Sequence, residues 1–316
     1  MPKLLHVAAA VVTNEKGEIL IARRPATVDQ GGLWEFPGGK LAPYETARQA
    51  LFRELNEEIG IDAQSASPLI RVHHQYPERH VLLDVWSVEH FTGDAYGREG
   101  QAVRWVKPEE LNQYSFPEAN KPILKALSLP DYYMITGEAA DEQAWINKLS
   151  KALESGVQLV QLRAHELDEE AFVQRAQQAL ELTREAGARL ILNADPSVLE
   201  RVDADGIHLT TERLSHYSQR PVSKQKLLSC ACHNTSQLEE AAALQADLVT
   251  LSPVQETESH PGVEAIGWQK FNELIEKLPV PVYALGGLGR ADIRRAKGLG
   301  GQGVAGIRAF WPQEKA

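Results

Sequence analysis

At 316 residues the chain exceeds one ordinary domain, so two domains are the natural expectation, with a single large barrel as the alternative. Its 43% apolar and 24% charged residues describe a globular protein able to bury a core of normal size. The net charge of −10 argues against a general binder of polymeric nucleic acid or of an anionic membrane, which would carry a basic patch, while a single nucleotide held through metal ions remains compatible with it.

The start, "MPKLLHVAAAVVTNEKGEIL", lacks a signal-peptide layout because Gly17 and charges follow at once, and no apolar run reaches membrane-spanning length. A cytoplasmic protein with no membrane partner is expected. Only Cys230 and Cys232 occur, spaced i, i+2 on the apolar run "LLSCAC". A buried structural pair is the expectation there rather than a disulfide or metal site.

In chain order, "LLHVAAAVV" and "GEILIARR" read as strands around a turn from Asn14 to Gly17, and "HVLLDVWSVEHF" as a further long strand. Between them a helix is predicted from about Glu45 to Ile59, opened by the Pro43 loop and stopped at Gly60. This α+β layout occupies residues 1–129. After "SLPDYYMI" the rhythm changes, and residues 130–316 form a second domain. Its strand candidates are "YYMIT", "VQLVQLR", "RLILN", "GIHL", "LLSCAC", "DLVTL", "VYALGG" and "GVAGI". Amphipathic segments such as "DEQAWINKLSKALESG" and "DEEAFVQRAQQALELTREAG" alternate with them, although the one after "GIHL" is short and polar. Eight strands with crossovers predict a compact (β/α)₈ barrel, whose functional loops follow the C-terminal strand ends.

Within the first helix Ala47, Ala50, Leu51, Leu55 and Ile59 supply a buried stripe. Glu54, Glu57 and Glu58 project near one another at i, i+3 and i+4. A solvated acidic face is the usual meaning of such charges. Against it stand the glycine-rich turn before the helix and the position of Arg53 and Glu54 beside the stripe. Clustered hard oxygen donors suit Mg²⁺ or Mn²⁺, which would relieve the repulsion and bridge a polyphosphate.

From Gly39 the sequence runs five residues to Glu45, seven more, then "RELNEEIGI", and this spacing resembles the complete Nudix box. The segments "IARR", "WEFPGGK", "YPERH", "GREGQ" and "FPEANKPIL" are similar to those of MutT-type 8-oxo-dGTP diphosphatases. The resemblance implies an α/β/α sandwich and hydrolysis of an oxidised purine nucleoside triphosphate to monophosphate and pyrophosphate, a nucleotide-pool sanitation that protects DNA replication. It implies metal ligands at Glu54, Glu57, Glu58, Glu99 and the Gly39 carbonyl. Arg53 would orient the glutamates, Glu45 would brace the loop, and Glu99 could assist as a base. Arg24, Phe36, Arg79 and Asn120 would bind the nucleotide. An asparagine presents both a donor and an acceptor to an oxidised guanine edge, although Asn120 before Lys121 and Pro122 could equally terminate a turn.

The second domain resembles thiamine phosphate synthase and the TenI-type thiazole tautomerases through "LVQLRAHELDEEAF", "LILNADPSVL", "ADGIHL", "YALGGL" and "GVAGIRAF". The resemblance implies a ligand site drawing on Gln161, Arg163, Asn193, His233, Gly286 and Gly287. Departures from the family pattern weigh against synthase activity. Ala194 and Arg213 stand where acidic magnesium ligands are expected, and His165 and His260 where lysines are. Gly286 and Gly287 would still offer a phosphate-ester ligand a backbone cradle. His233 matches a tautomerase proton-transfer residue, or is simply a polar residue at a strand end. Two readings of the whole chain follow. One is a sanitation enzyme with a degenerate barrel as binding or stabilising module. The alternative is a bifunctional thiamine-pathway protein, its first domain cleaving a thiamine-type diphosphate and its barrel tautomerising or binding a thiazole phosphate.

Overall fold

The computed structural model describes residues 4–76, 79–257, 262–276 and 278–312. The chain divides into two compact units, Met1–Ser128 and Leu129–Ala316.

In the first unit β1 (Leu4–Val12), β2 (Ile19–Arg23), β3 (Trp34–Glu35) and β4 (Gly38–Lys40) lead into α1 (Ala47–Glu54). A π-helical segment, Leu55–Ile59, continues α1 directly. Then come β5 (Asp62–Ala63), β6 (Ser67–Gln75), β7 (His80–Val88), β8 (Phe91–Thr92), β9 (Val103–Val106) and α2 (Lys121–Leu127). The main sheet has the order β4-β1-β7-β6, with β1 parallel to β7 and antiparallel to β4, and a second sheet has the order β3-β2-β9.

β1 shows why both faces of the main sheet are covered. Its buried residues alternate, Ala9 and Val11 entering the core that includes α2, and Ala8, Ala10 and Val12 entering the core that includes α1. A strand buried on both faces needs a helix on each, which makes the α/β/α sandwich. The helix over the carboxylates begins two residues later than expected. Thr46 caps it by accepting from the Gln49 N–H, while the Gln49 side chain accepts from the Thr46 N–H. Gly60 does stop it, with φ +80°.

In the second unit β10 (Tyr132–Ile135), β11 (Leu159–Leu162), β12 (Arg189–Leu192), β13 (Gly206–Leu209), β14 (Leu227–Cys232), β15 (Leu248–Leu251), β16 (Val282–Leu285) and β17 (Gly303–Gly306) close a parallel barrel in sequence order. The helices are α3 (Glu142–Glu154), α4 (Glu169–Glu185), α5 (Thr211–Leu214), α6 (Thr235–Ala243), α7 (Gly267–Ile275) and α8 (Ile293–Gly298). All eight expected strands are present, and the short polar segment after β13 forms only the single turn α5. Period-two alternation sorts the strand residues. Leu228, Cys230 and Cys232 face the helices, so both cysteines are buried free thiols in that core. Tyr133, Leu159, Ile191, Leu248 and Tyr283 fill the interior.

Candidate active site

The carboxylates of the first unit are organised by one guanidinium. Arg53 Nε and Nη2 donate to the two oxygens of Glu45 at 2.9 and 2.8 Å. Nη1 donates to Glu54 at 2.8 Å and to Glu57 at 3.0 Å, and Nη2 also reaches the Lys40 carbonyl at 3.1 Å. Glu45 in turn accepts from the Ala42 N–H, which ties the loop before the helix to Arg53. The hydrogen bonds from Arg53, reinforced by that N–H, hold the Glu45 carboxyl down at about 2.

Gly39 makes room for Glu54. A Cβ at Gly39 would lie 2.2 Å from the Glu54 carboxyl carbon, so the carboxylate lies directly over the backbone of β4. Glu58 lies in the same neighbourhood. Burial pushes its carboxyl up to about 8, and the negative charges of Glu54, Glu35 and Glu99 push the same way against one backbone N–H from Gly38.

The π segment and a following loop set Glu58 and Glu99 against each other. The terminal carbonyls of Glu58 and Ile59 accept from the Arg98 and Tyr96 N–H groups at 2.8 and 3.0 Å. Gln101 Nε2 also donates to the Glu58 carbonyl, and Arg98 Nη1 to the Asn56 carbonyl. The orphan carbonyls of the helix end are thus satisfied by the loop that carries Glu99.

Among the described residues no three Asp, Glu, His or Cys side chains converge as a ready-made cation cage. The donor set nonetheless fits a hard divalent cation. Glu54, Glu57 and Glu58 together carry more negative charge than Arg53 alone balances, and with an adjacent glycine backbone they are the oxygen donors such a cation takes, its shell completed by water and substrate phosphate. Glu57 is the least committed to the cluster, its side chain 58% exposed and paired with Arg53.

The expected nucleotide residues are placed less uniformly. Arg24 is engaged within the protein, donating to the Asp29 carbonyl through Nε and Nη2 and pairing with Glu35 through Nη1. Arg79 pairs with the Asp29 side chain and stacks over Tyr76, so both arginines meet at Asp29. Phe36 is buried and stacked on Phe116 at 5.4 Å. Asn120, 8% exposed, does not cap α2 and makes no side-chain hydrogen bond among the described residues. Sequence reasoning missed Glu35, whose pKa is raised by burial against the opposing effect of Arg24. The available signal was an acidic residue within the apolar run "LWEFP".

In the barrel, Gln161 and Asn193 are buried and bonded to each other, Asn193 Nδ2 donating to Gln161 Oε1 at 3.1 Å. Arg163 is exposed at the end of β11. His233 is exposed after β14, its Nδ1 at 2.8 Å from the Ser252 carbonyl, and its backbone N–H donates to the Gln237 side chain. Gly286 and Gly287 have positive φ, and a Cβ on either would strike Pro253 or the Glu256 carbonyl. Close packing on that loop accounts for both glycines without a phosphate. His260 lies outside the described residues.

A box of this spacing, folded as helix, π turn and stitched glutamate loop, defines a Nudix hydrolase, here followed by a parallel eight-stranded barrel. A family model described as NUDIX domain matches residues 8–126, and one described as Thiamine monophosphate synthase matches residues 132–310. The 8-oxo-dGTP diphosphatase of Escherichia coli (strain K12) is 41% identical over 125 residues, 40% of this chain and 97% of that protein. The CTP pyrophosphohydrolase of the same organism is 44% identical over 124 residues, 39% of this chain and 91% of that protein. Putative thiamine-phosphate synthase 2 of Aquifex aeolicus (strain VF5) is 32% identical over 184 residues, 58% of this chain and 99% of that protein. The chain belongs to the Nudix family through its first unit and to the thiamine monophosphate synthase family through its second.

Proposed function

We propose that the first unit hydrolyses 8-oxo-dGTP to its monophosphate and pyrophosphate in the presence of Mg²⁺ or Mn²⁺, removing an oxidised precursor before DNA replication. The observation that carries the chemistry is the crowding of Glu58 with Glu54, Glu35 and Glu99 beside the Gly39 backbone. Glu54, Glu58 and the Gly39 carbonyl would hold the cation, joined by Glu57 and Glu99. The bound ion would supply Lewis-acid stabilisation of phosphate charge and a more acidic water. Arg53 holds Glu45, Glu54 and Glu57 in place through its hydrogen bonds, and Glu99, carried on the stitched loop, is a candidate base. The unpartnered Asn120 amide supports selection of a base edge offering both a donor and an acceptor.

Two other substrates have specific support. Identity to a CTP pyrophosphohydrolase favours a pyrimidine nucleotide, and the fused barrel favours a thiamine-type diphosphate. The chemistry is tested by turnover in Mg²⁺ and in excess chelator for the native protein and Glu57→Gln. We expect chelator to abolish hydrolysis and Glu57→Gln to lower kcat by about 10²-fold with an unchanged melting temperature. Full activity of Glu57→Gln at limiting Mg²⁺ removes Glu57 from the ligand set, and full activity in chelator removes the metal.

For the barrel we propose a binding or stabilising role without coupling chemistry, because Ala194 and Arg213 stand in place of acidic ligands. Incubation of the protein with the pyrimidine diphosphate, the thiazole phosphate and Mg²⁺ should form no thiamine phosphate.

A further inference from the structure

Two of the clustered carboxylates belong to different elements, Glu58 to the π segment and Glu99 to the loop before β9. The negative charge of Glu99 acts on Glu58. Like charges repel, so an approach between separate elements has to be imposed by other bonds. One side-chain amide makes two of them. Gln101 Oε1 accepts from the Glu99 N–H at 2.9 Å, and its Nε2 donates to the Glu58 carbonyl at 3.0 Å. A backbone N–H can only donate and a carbonyl only accept, so this orientation of the amide is the one that satisfies both.

The loop is shaped around that bridge. Gly97 lets the chain fold back on itself, since a Cβ there would lie 1.9 Å from the Gln101 carbonyl oxygen. The Gly100 N–H closes the turn on the Gly97 carbonyl at 3.1 Å, with Gly100 at φ +81°. Glu99 is therefore presented by a tight turn whose backbone has little freedom of its own. A second anchor stands beside the first. Arg98 lies over Gly60, where a Cβ would come 3.1 Å from its Nε, and its Nη1 donates to the Asn56 carbonyl and side chain at 2.9 and 3.2 Å. Both anchors end on the π segment that carries Glu57 and Glu58.

We infer that Gln101 is a positioning residue for divalent-cation binding, which ties the Glu99 N–H to the Glu58 carbonyl and so holds the two carboxylates at the separation a shared cation needs. The inference rests on the metal-dependent reading above and adds to it a residue that acts through Glu99. Groups that orient metal ligands contribute about 10- to 100-fold to metal affinity, because an ion binds tightly only to ligands already in place.

The test is titration of the nucleotide-free full chain with Mn²⁺ alone, free Mn²⁺ being read from its electron paramagnetic resonance signal. Gln101→Met keeps the length of the side chain and removes the amide. It should melt like the native protein and bind Mn²⁺ about tenfold more weakly or worse. Glu99→Gln should weaken binding as well, and adding Gln101→Met to Glu99→Gln should change the affinity by less than about twofold, because the amide has then lost the group it positions. Arg98→Gln leaves the bridge in place and removes the neighbouring anchor, so it should weaken binding in the same direction even if Gln101→Met fails to fold. Undiminished affinity in folded Gln101→Met or Arg98→Gln, or an additive loss in the double variant, would overturn the inference and leave the metal reading intact. Undiminished affinity in Glu99→Gln would remove Glu99 from the ligand set and the inference with it. Absence of Mn²⁺ binding by the native protein would contradict the metal reading itself, and both would fall together.

Discussion

All three guanidinium nitrogens of Arg53 are committed to the groups around the carboxylates. Such a hub was legible through the resemblance of the Gly39–Gly60 segment to the Nudix box, which implies that Arg53 orients the glutamates and Glu45 braces the loop. Glu35 was not, since its coupling to Glu58 arises only when β3 is brought beside the π segment. The same holds in the barrel for His208, a buried ring with Nδ1 at 2.8 Å from Ser229 Oγ. Burial, with a smaller contribution from the Arg213 charge, pulls its pKa from 6.5 to about 3. Between those values the unfolded chain binds more protons than the folded one. The contribution to stability is therefore complete above about pH 6.5 and is lost as pH falls toward 3. At pH 5 the loss is about 2 kcal/mol. Urea unfolding of the barrel at pH 7 and pH 5 should show this difference in the native protein and a smaller one in His208→Gln. An equal pH dependence would mean that other groups set it.

The carboxylate helix works as an element because its last turn is π and its carbonyl ends are stitched to residues 96–101. The sequence predicts one continuous helix there. The wider turn is invisible to a periodicity of helical spacing, since the buried stripe of Leu51, Leu55 and Ile59 satisfies either form. Short strands were similarly hard to read. β3, β4 and β5 are two or three residues long and exist through their partners. The barrel strands were legible because each is an apolar run between punctuating loops, and inward polar residues such as Gln161 and Ser229 were absorbed into those runs. Gly39→Ala tests how the first element is tuned. The atoms nearest the added Cβ are all in the movable carboxyl end of Glu54, so the fold should survive while Glu54 is displaced. An unchanged melting temperature with kcat reduced by about 10²-fold is expected. Native turnover by Gly39→Ala would show that the close approach of Glu54 is dispensable.

Each unit encloses cores of its own, the first on both faces of the main sheet and the second inside and around the barrel. Residues 1–128 and 129–316 expressed separately should therefore each melt cooperatively, with hydrolysis retained by the first. Loss of cooperative melting in either fragment would mean that the unit depends on the rest of the chain. No described helix is long and apolar enough to cross a membrane.

At the scale of the whole chain, the proposed preference for an oxidised purine is measured most directly by relative kcat/KM. The native protein and Asn120→Ala should be compared with 8-oxo-dGTP, dGTP, CTP and thiamine diphosphate in Mg²⁺. The expected result is the highest kcat/KM for 8-oxo-dGTP, yielding monophosphate and pyrophosphate. Asn120→Ala should lower that value much more than the value for dGTP, because a site built to pair with a polar edge loses discrimination with its partner. Highest kcat/KM for CTP or thiamine diphosphate, or equal losses on both purines in Asn120→Ala, would contradict it.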